Sequence, residues 1–290
     1  MLIVHDPQCA DYGAPAHPER PERVRDSVSH LRAKHPEWAW LEPAAAPDEL
    51  LLLAHSPSHL QRLDEPRDFD ADTPWHPGIG AHARRSVGAA LEASRHAQKT
   101  HDPAFSLMRP PGHHATSDAA MGFCYLNQIA VAALAARNNP GIARVAVWDF
   151  DAHHGNGTES ILGGREGFLF SSVHQYGYPG TGAASSGNCH NWSVLPRAPR
   201  PQHLHALRAS WETILAFDPD LVLVSAGFDA YARDPITEMS LEIEDFAELG
   251  GWLRRSGLPA AGVLEGGYSA DLPRLIEAFL AAWTGPAPGE

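Results

Sequence analysis

Four stretches of this chain run from a β-rich apolar segment straight into ionisable or polar residues, and this pattern constrains the fold more than any other. Residues 144–150 lead into Asp149-Phe150-Asp151-Ala152-His153-His154, and residues 221–226 into Gly227-Phe228-Asp229. Residues 261–264 lead into Glu265-Gly266-Gly267-Tyr268, and residues 105–108 into Arg109-Pro110-Pro111-Gly112-His113-His114. Two more β-rich runs lie at 2–5 and 168–174. Helical patterns separate them. Residues 122–137 are nearly all apolar and Ala-rich, which predicts a buried helix, and 203–217 places Leu204, Leu207, Trp211, Ile214 and Leu215 on one stripe. Strands alternating with helices predict an α/β fold with a central parallel sheet flanked by helices on both faces. With no internal repeat or low-complexity linker, residues 1–290 read as one domain. Ligands of open α/β sheets bind beyond the carboxyl ends of the strands. Four strands delivering reactive side chains there point to a site at that edge.

Composition narrows the partners. At 43% apolar and 20% charged residues the chain is ordinary globular material, and no apolar run reaches the roughly 18 residues of a membrane span. The start, Met1-Leu2-Ile3-Val4-His5-Asp6, lacks the basic flank and long apolar region of a secretory signal and reads as a first strand. Three scattered cysteines, Cys9, Cys124 and Cys189, make neither a disulfide framework nor a cysteine metal site, so a reducing, cytoplasmic setting is expected. A formal charge of -13 disfavours nucleic acid, whose binding rests on basic patches and released counterions. It suits a cationic partner such as a lysine-rich tail or a polyamine, although acidity also serves solubility alone.

Asp151 and His153, two apart at a strand end, point the same way. Asp229, at the end of another strand, would complete a set of two oxygens and one nitrogen. Three protein ligands with an open fourth position is the pattern of catalytic zinc, which polarises a carbonyl and acidifies water. Such an oxygen-rich shell also accepts Fe2+ or Co2+. A lone Asp-x-His is as readily a capped turn, so the case rests on convergence. The His113-His114 pair follows a stiff Pro-Pro-Gly turn, and paired imidazoles beside a metal can supply general base and general acid for amide hydrolysis. Asp149 and Asn156 are the available acceptors to orient them. A carboxylate raises its partner's basicity and a neutral amide does not, so the two histidines are expected to differ in protonation. Tyr268 follows two glycines that permit an unusual backbone path, and its hydroxyl can donate to an oxyanion. Packing is the alternative role.

Further segments extend the pattern: His17-Pro18-Glu19-Arg20-Pro21, Gly122-Phe123-Cys124-Tyr125-Leu126-Asn127, Gly155-Asn156-Gly157-Thr158 and Pro179-Gly180-Thr181-Gly182. With the four strand ends, and over nearly the whole chain, they resemble the histone deacetylase and acetylpolyamine amidohydrolase family, which has an arginase-like α/β fold. Asn156, where class I members usually carry Asp, and the Glu265–Tyr268 segment resemble its class II-like bacterial branch. The resemblance implies Asp151, His153 and Asp229 as zinc ligands, His114 as general base and acid, and His113 as an electrostatic partner held by Asp149. It implies Tyr268 as the carbonyl-binding residue, and Gly122, Phe123 and Tyr178 as walls of a narrow tunnel for the acetyl-lysine stem. It also implies Arg23 near an internal product channel. A K+ ion would be held by Asp149, the Ser172 hydroxyl and the backbone of Asp151, His153 and Val173.

The implied reaction is hydrolysis of an acetyl or acyl amide to a carboxylate and an amine, on an acetylated lysine peptide or, alternatively, an acetylated polyamine or other small amine. Ile236, after Asp234-Pro235, stands where one polyamine-selective branch is acidic; Glu19, Glu22 and Asp118 are other candidates for an acidic rim. The loop 64–80 is compact, with no long insertion to narrow the entrance. A non-catalytic ligand-binding protein would have lost a metal ligand, a tandem histidine or Tyr268, and none is lost. An arginase-type dinuclear manganese hydrolase would need further bridging carboxylates. Cys124 reads as a small core residue, His154 as hydrogen-bonded within the fold, and His174 as a loop anchor. His17-Pro18-Glu19 reads as an entrance loop.

Overall fold

The computed structural model describes residues 1–285. Eight strands, β1 (Leu2–Val4), β2 (Ala39–Leu41), β3 (Ala104–Ser106), β4 (Val145–Asp149), β5 (Phe168–Gln175), β6 (Cys189–Val194), β7 (Leu221–Ala226) and β8 (Ala260–Leu264), form one sheet. Every neighbouring pair is parallel, in the order β2-β1-β3-β8-β7-β4-β5-β6. The inner strands β3, β4, β5, β7 and β8 are buried along their whole length, which is why they read as mainly apolar runs rather than alternating ones. Strand β5 departs from this in its second half, with buried Ser171, Ser172, His174 and Gln175.

The helices are α1 (Glu22–Lys34), α2 (Asp48–Leu51), α3 (Pro57–Arg62), α4 (Ile79–Thr100), α5 (Gln128–Arg137), α6 (Asn156–Leu162), α7 (Arg200–Phe217), α8 (Ile243–Ser256) and α9 (Leu272–Thr284). They cover the sheet. Helices α4 and α5 pack together and on the strands, and α8 packs on α9, which in turn meets α1. Trp148, one residue before the end of β4, packs against Trp211 of α7 and Trp252 of α8, with ring centroids 4.8 and 6.1 Å away.

Three expectations need correction. The helix predicted over 122–137 starts only at Gln128, where the Asn127 side chain accepts the Ala130 N–H at 2.9 Å. Gly122 and Phe123 have φ of 56° and 69°, left-handed values that no helix contains. On α7, Leu207, Trp211 and Ile214 are buried with His203, but Leu204 is half-buried and Leu215 is 44% exposed. Strands β2 and β6 were not foreseen. They are the two edges, where one side faces solvent, and polar or exposed residues interrupt the apolar signal.

The order β3-β8-β7-β4-β5 puts the strands that carry the expected site residues side by side. Their C-terminal ends therefore open onto one shared surface.

Candidate active site

At the end of β4 the backbone turns so that Asp151 and His153 face Asp229, which follows β7. His153 Nδ1 lies 3.2 Å from Asp151 Oδ1 and 3.0 Å from Asp229 Oδ2, and one ligand-type atom from each residue falls within 4.8 Å of the others. Backbone donors aim both carboxylates: Gly266 N–H to Asp151 Oδ2 at 2.7 Å and Ala152 N–H to Asp229 Oδ1 at 2.8 Å. A Cβ on Gly266 would sit 2.2 Å from Asp229 Oδ2 and 2.5 Å from Asp151 Oδ2, so only glycine leaves room for them. Burial, with the charge of Asp151 beside it, raises the Asp229 pKa. Among the described residues no lysine or arginine pairs with either carboxylate. Two buried carboxylates and an imidazole nitrogen converging without a fixed cation suit a divalent metal ion.

The paired histidines stand beside this group on the turn after β3. The Glu265 carboxylate accepts the Gly112 and His113 N–H groups at 2.7 and 3.2 Å and so ties that turn to the end of β8. His113 Nδ1 donates to Asp149 Oδ2 at 3.0 Å, and His114 Nδ1 donates to Asn156 Oδ1 at 2.7 Å. Burial opposes a charge on His113, but Asp151, Asp149 and Glu265 outweigh it and push its pKa up to about 10. Burial, together with the charges of His113 and His153, holds His114 well below the usual imidazole range. Asn127 supports the turn by donating to Ala115 O at 3.0 Å, and its own N–H donates to His55 Nε2 at 2.9 Å. Neither Asn127's nor His55's scaffold role was visible in the sequence.

These side chains floor a cavity of about 510 Å³ whose walls include Pro18, Pro111, Gly122, Phe123, Cys124, Tyr178, Ile236, Gly266 and Tyr268. A Cβ on Gly122 would meet His114 Cδ2 at 2.6 Å, so the wall closes against the imidazole only because position 122 is glycine. Phe123 stacks edge-on between Tyr268 and His17, at 5.8 and 4.7 Å. Tyr178 stands at the mouth, 57% exposed. Burial raises the Tyr268 pKa well above the phenol range, so its hydroxyl keeps its proton. Arg23 lies over the Tyr268 ring at 4.7 Å and donates to Gly267 O at 2.7 Å and Glu265 O at 2.5 Å.

The acidic rim differs from the one expected. Glu19 is buried and holds Arg109 and Arg23. Glu22 borders a neighbouring groove, and Asp118 does not line the cavity. Asp70 and Asp72, in the compact loop, line it instead. They end an acidic run of Asp64, Glu65, Asp68, Asp70 and Asp72, and that run was the available signal.

The residues expected around K+ lie on adjoining segments. The register pairs Asp149 with Ser172, Val173 follows on β5, and Asp149 Oδ1 accepts the Asp151 N–H at 3.1 Å. The Ser172 hydroxyl lies 2.9 Å from His174 Nδ1. His154 is bound within the fold, to Glu159 at 2.7 Å and Thr181 at 2.8 Å, and His174 Nε2 donates to Gly182 O at 3.1 Å. His113, Cys124 and Glu265 also bring ligand-type atoms together, but His113 Nδ1 and the Glu265 carboxylate already serve Asp149 and the backbone of the turn.

The family model for the histone deacetylase domain matches residues 17–283. The chain belongs to the histone deacetylase family. A probable deacetylase of Methanothermobacter thermautotrophicus is 36% identical over 287 residues, spanning 93% of this chain and 86% of that protein. A histone deacetylase-like amidohydrolase of Pseudomonas aeruginosa is 38% identical over 287 residues, spanning 88% and 73%. Among solved structures, an acetylpolyamine aminohydrolase from Burkholderia pseudomallei superposes with a TM-score of 0.89 over 98% of each chain, at 26% identity. The arginase-like architecture and membership of a family of deacetylases and amidohydrolases follow.

Proposed function

We propose that this histone deacetylase family member is a zinc-dependent amidohydrolase that releases acetate from acetylated amines, with acyl-lysine as the leading substrate class. The observation that carries this reading is the meeting, in one cavity, of the Asp151–His153–Asp229 group, two imidazoles of opposite protonation tendency, and the protonated Tyr268. Zinc held by Asp151, His153 and Asp229 would supply Lewis acidity towards the acyl carbonyl and a lowered pKa for water; Fe2+ or Co2+ suits the same donors. His114 keeps its Nδ1 proton and donates it in a hydrogen bond to Asn156 Oδ1, which leaves Nε2 as the base that takes a proton from the attacking water. His113, charged against Asp149, sets a positive field beside the reacting carbonyl. The Tyr268 hydroxyl donates to the developing oxyanion. His114 then passes its proton to the leaving nitrogen as the C–N bond breaks, giving carboxylic acid and amine. The acid's remaining proton ends on the more basic amine, so carboxylate and ammonium are the balanced products. K+ held by Asp149, Ser172 and the backbone of Asp151, His153 and Val173 belongs to the same proposal.

Asp70 and Asp72 at the mouth favour a substrate with a cationic neighbour or tail. Acetylated polyamines are therefore the second reading, supported by the name of the structural neighbour. The ratio of kcat/KM for an acetyl-lysine peptide to that for an acetylated polyamine separates the two. The reaction itself is tested with Tyr268→Phe. Loss of one oxyanion donor should lower kcat about 100- to 1,000-fold while metal content stays the same. Unchanged turnover would remove Tyr268 from the chemistry.

A further inference from the structure

Tyr268 has little of its own to hold it in direction. It follows two glycines, the second at φ 117°, on a segment between β8 and α9 with no regular structure. Its aim is set from outside. Arg23 grips the carbonyls of Glu265 and Gly267, before it. The Tyr268 N–H itself donates to Asp234 Oδ2 at 2.8 Å.

Asp234 is only 7% exposed, and its other oxygen is equally committed. Oδ1 accepts the Ile236 N–H at 3.1 Å, and Ile236 borders the cavity mouth. The segment that carries Asp234 is closed on itself. Asp234 N–H donates to Tyr231 O at 2.9 Å, Ala232 N–H to Leu241 O at 2.8 Å, and Leu241 N–H to Ala230 O at 3.0 Å. The Thr237 hydroxyl donates back to the carbonyl of Asp229. One rigid loop thus holds a metal-ligand candidate at its start and a rim residue near its end, and reaches Tyr268 through a single carboxylate.

We propose that Asp234 is a positioning residue for the deacylation: its carboxylate locks the Tyr268 backbone to the Ile236 rim, so the aim of the hydroxyl and the shape of the mouth are set together. The proposal rests on the reading of Tyr268 as the carbonyl-binding residue. A carboxylate is required because both of its oxygens face backbone donors. An asparagine of the same size must turn its NH2 towards one of the two N–H groups, losing one hydrogen bond and creating a donor–donor contact.

The test is a double-mutant cycle of Asp234→Asn and Tyr268→Phe on the metal-loaded enzyme, with turnover of an acetyl-lysine peptide, metal content and circular dichroism measured for each variant. Asp234→Asn should lower kcat roughly 10- to 100-fold, the cost of a lost hydrogen bond to a charged group. KM should move by no more than about threefold and metal content not at all. In the Tyr268→Phe background the same change should cost less than about twofold, because its route to the chemistry is already gone. An equal loss in both backgrounds, or no loss in the parent, overturns the proposal. Full turnover of Tyr268→Phe alone overturns instead the reading of the site. If Asp234→Asn does not fold, Asp234→Ser goes through the cycle, since its hydroxyl accepts one N–H without presenting two donors. Its loss should again vanish with Phe at position 268, and a loss that persists overturns the proposal.

Discussion

Replacing Glu19 by glutamine should destabilise the protein far more than the same change three residues later. Glu19 Oε1 accepts from Arg109 Nε at 2.5 Å and from Arg23 Nη1 at 3.1 Å, while Oε2 accepts from Arg109 Nη2 at 2.7 Å and from the Tyr12 hydroxyl at 3.4 Å. Arg109 is fully buried, and Arg23 nearly so. A glutamine keeps one acceptor oxygen and turns an NH2 towards donors, leaving two buried guanidinium groups without a counter-charge. Breaking a buried pair in this way costs about 3–5 kcal/mol. For a chain of this length that is a fall in Tm of about 5–10 °C. Glu22 is the control: it lies 3.8 Å from Arg25, with both side chains more than half exposed, so Glu22→Gln should stay within about 0.5 kcal/mol. Urea unfolding followed by circular dichroism measures both. The pH dependence adds a second check. Burial would raise the Glu19 pKa, but Arg109 and Arg23 overcome it and the net shift is downward. A depressed carboxylate stabilises the fold fully above its unfolded value, about 4.3, and loses that contribution as pH falls through its folded value. The gap between parent and Glu19→Gln should therefore be full at pH 7 and shrink below about pH 4. A loss under about 1 kcal/mol at pH 7, or equal losses for the two variants, would refute the reasoning.

Two other variants probe different parts of the molecule. His203 is buried on α7, and its Nδ1 has no hydrogen-bond partner among the described residues. Burial, only partly offset by Asp245, lowers its pKa to about 4. The unfolded chain takes up this proton first, near pH 6.5, so stability is lost as pH falls from there towards 4, by about 2 kcal/mol at pH 5. His203→Leu should flatten that part of the Tm-against-pH profile, and parallel profiles would sink the idea. Gly266→Ala puts a methyl group onto the Asp151 and Asp229 carboxylates, and should weaken metal binding by about 10- to 100-fold in a chelator competition. An unchanged affinity would show that the pair is not held as close as described.

The parallel α/β class and the inner strands were legible because strands buried on both faces are written as mainly apolar runs, and β7 was read end to end as Leu221–Ala226. The Asp151-Ala152-His153 motif was legible by residue type and spacing, but strand alternation is not what aims it: β4 ends at Asp149, and both residues stand in the bend beyond it. Elsewhere the local signal was lost. The edge strands β2 and β6 face solvent on one side, and the segment 122–127 reads as helix by composition although two left-handed residues and the Asn127 cap exclude it. A glutamate such as Glu19 looks like rim material until Arg109, 90 positions away, is seen to bury it. The same holds for the site. Tyr268 and the paired histidines were recognisable by type and order, but what aims them is remote in sequence: Glu265 beneath the His113 turn, Arg23 across 244 positions on Gly267, and Asp234 on Tyr268. Local pattern sets which residues stand at strand ends. Only the lateral order of the strands, decided by packing the whole sheet between its helices, sets which of those ends meet.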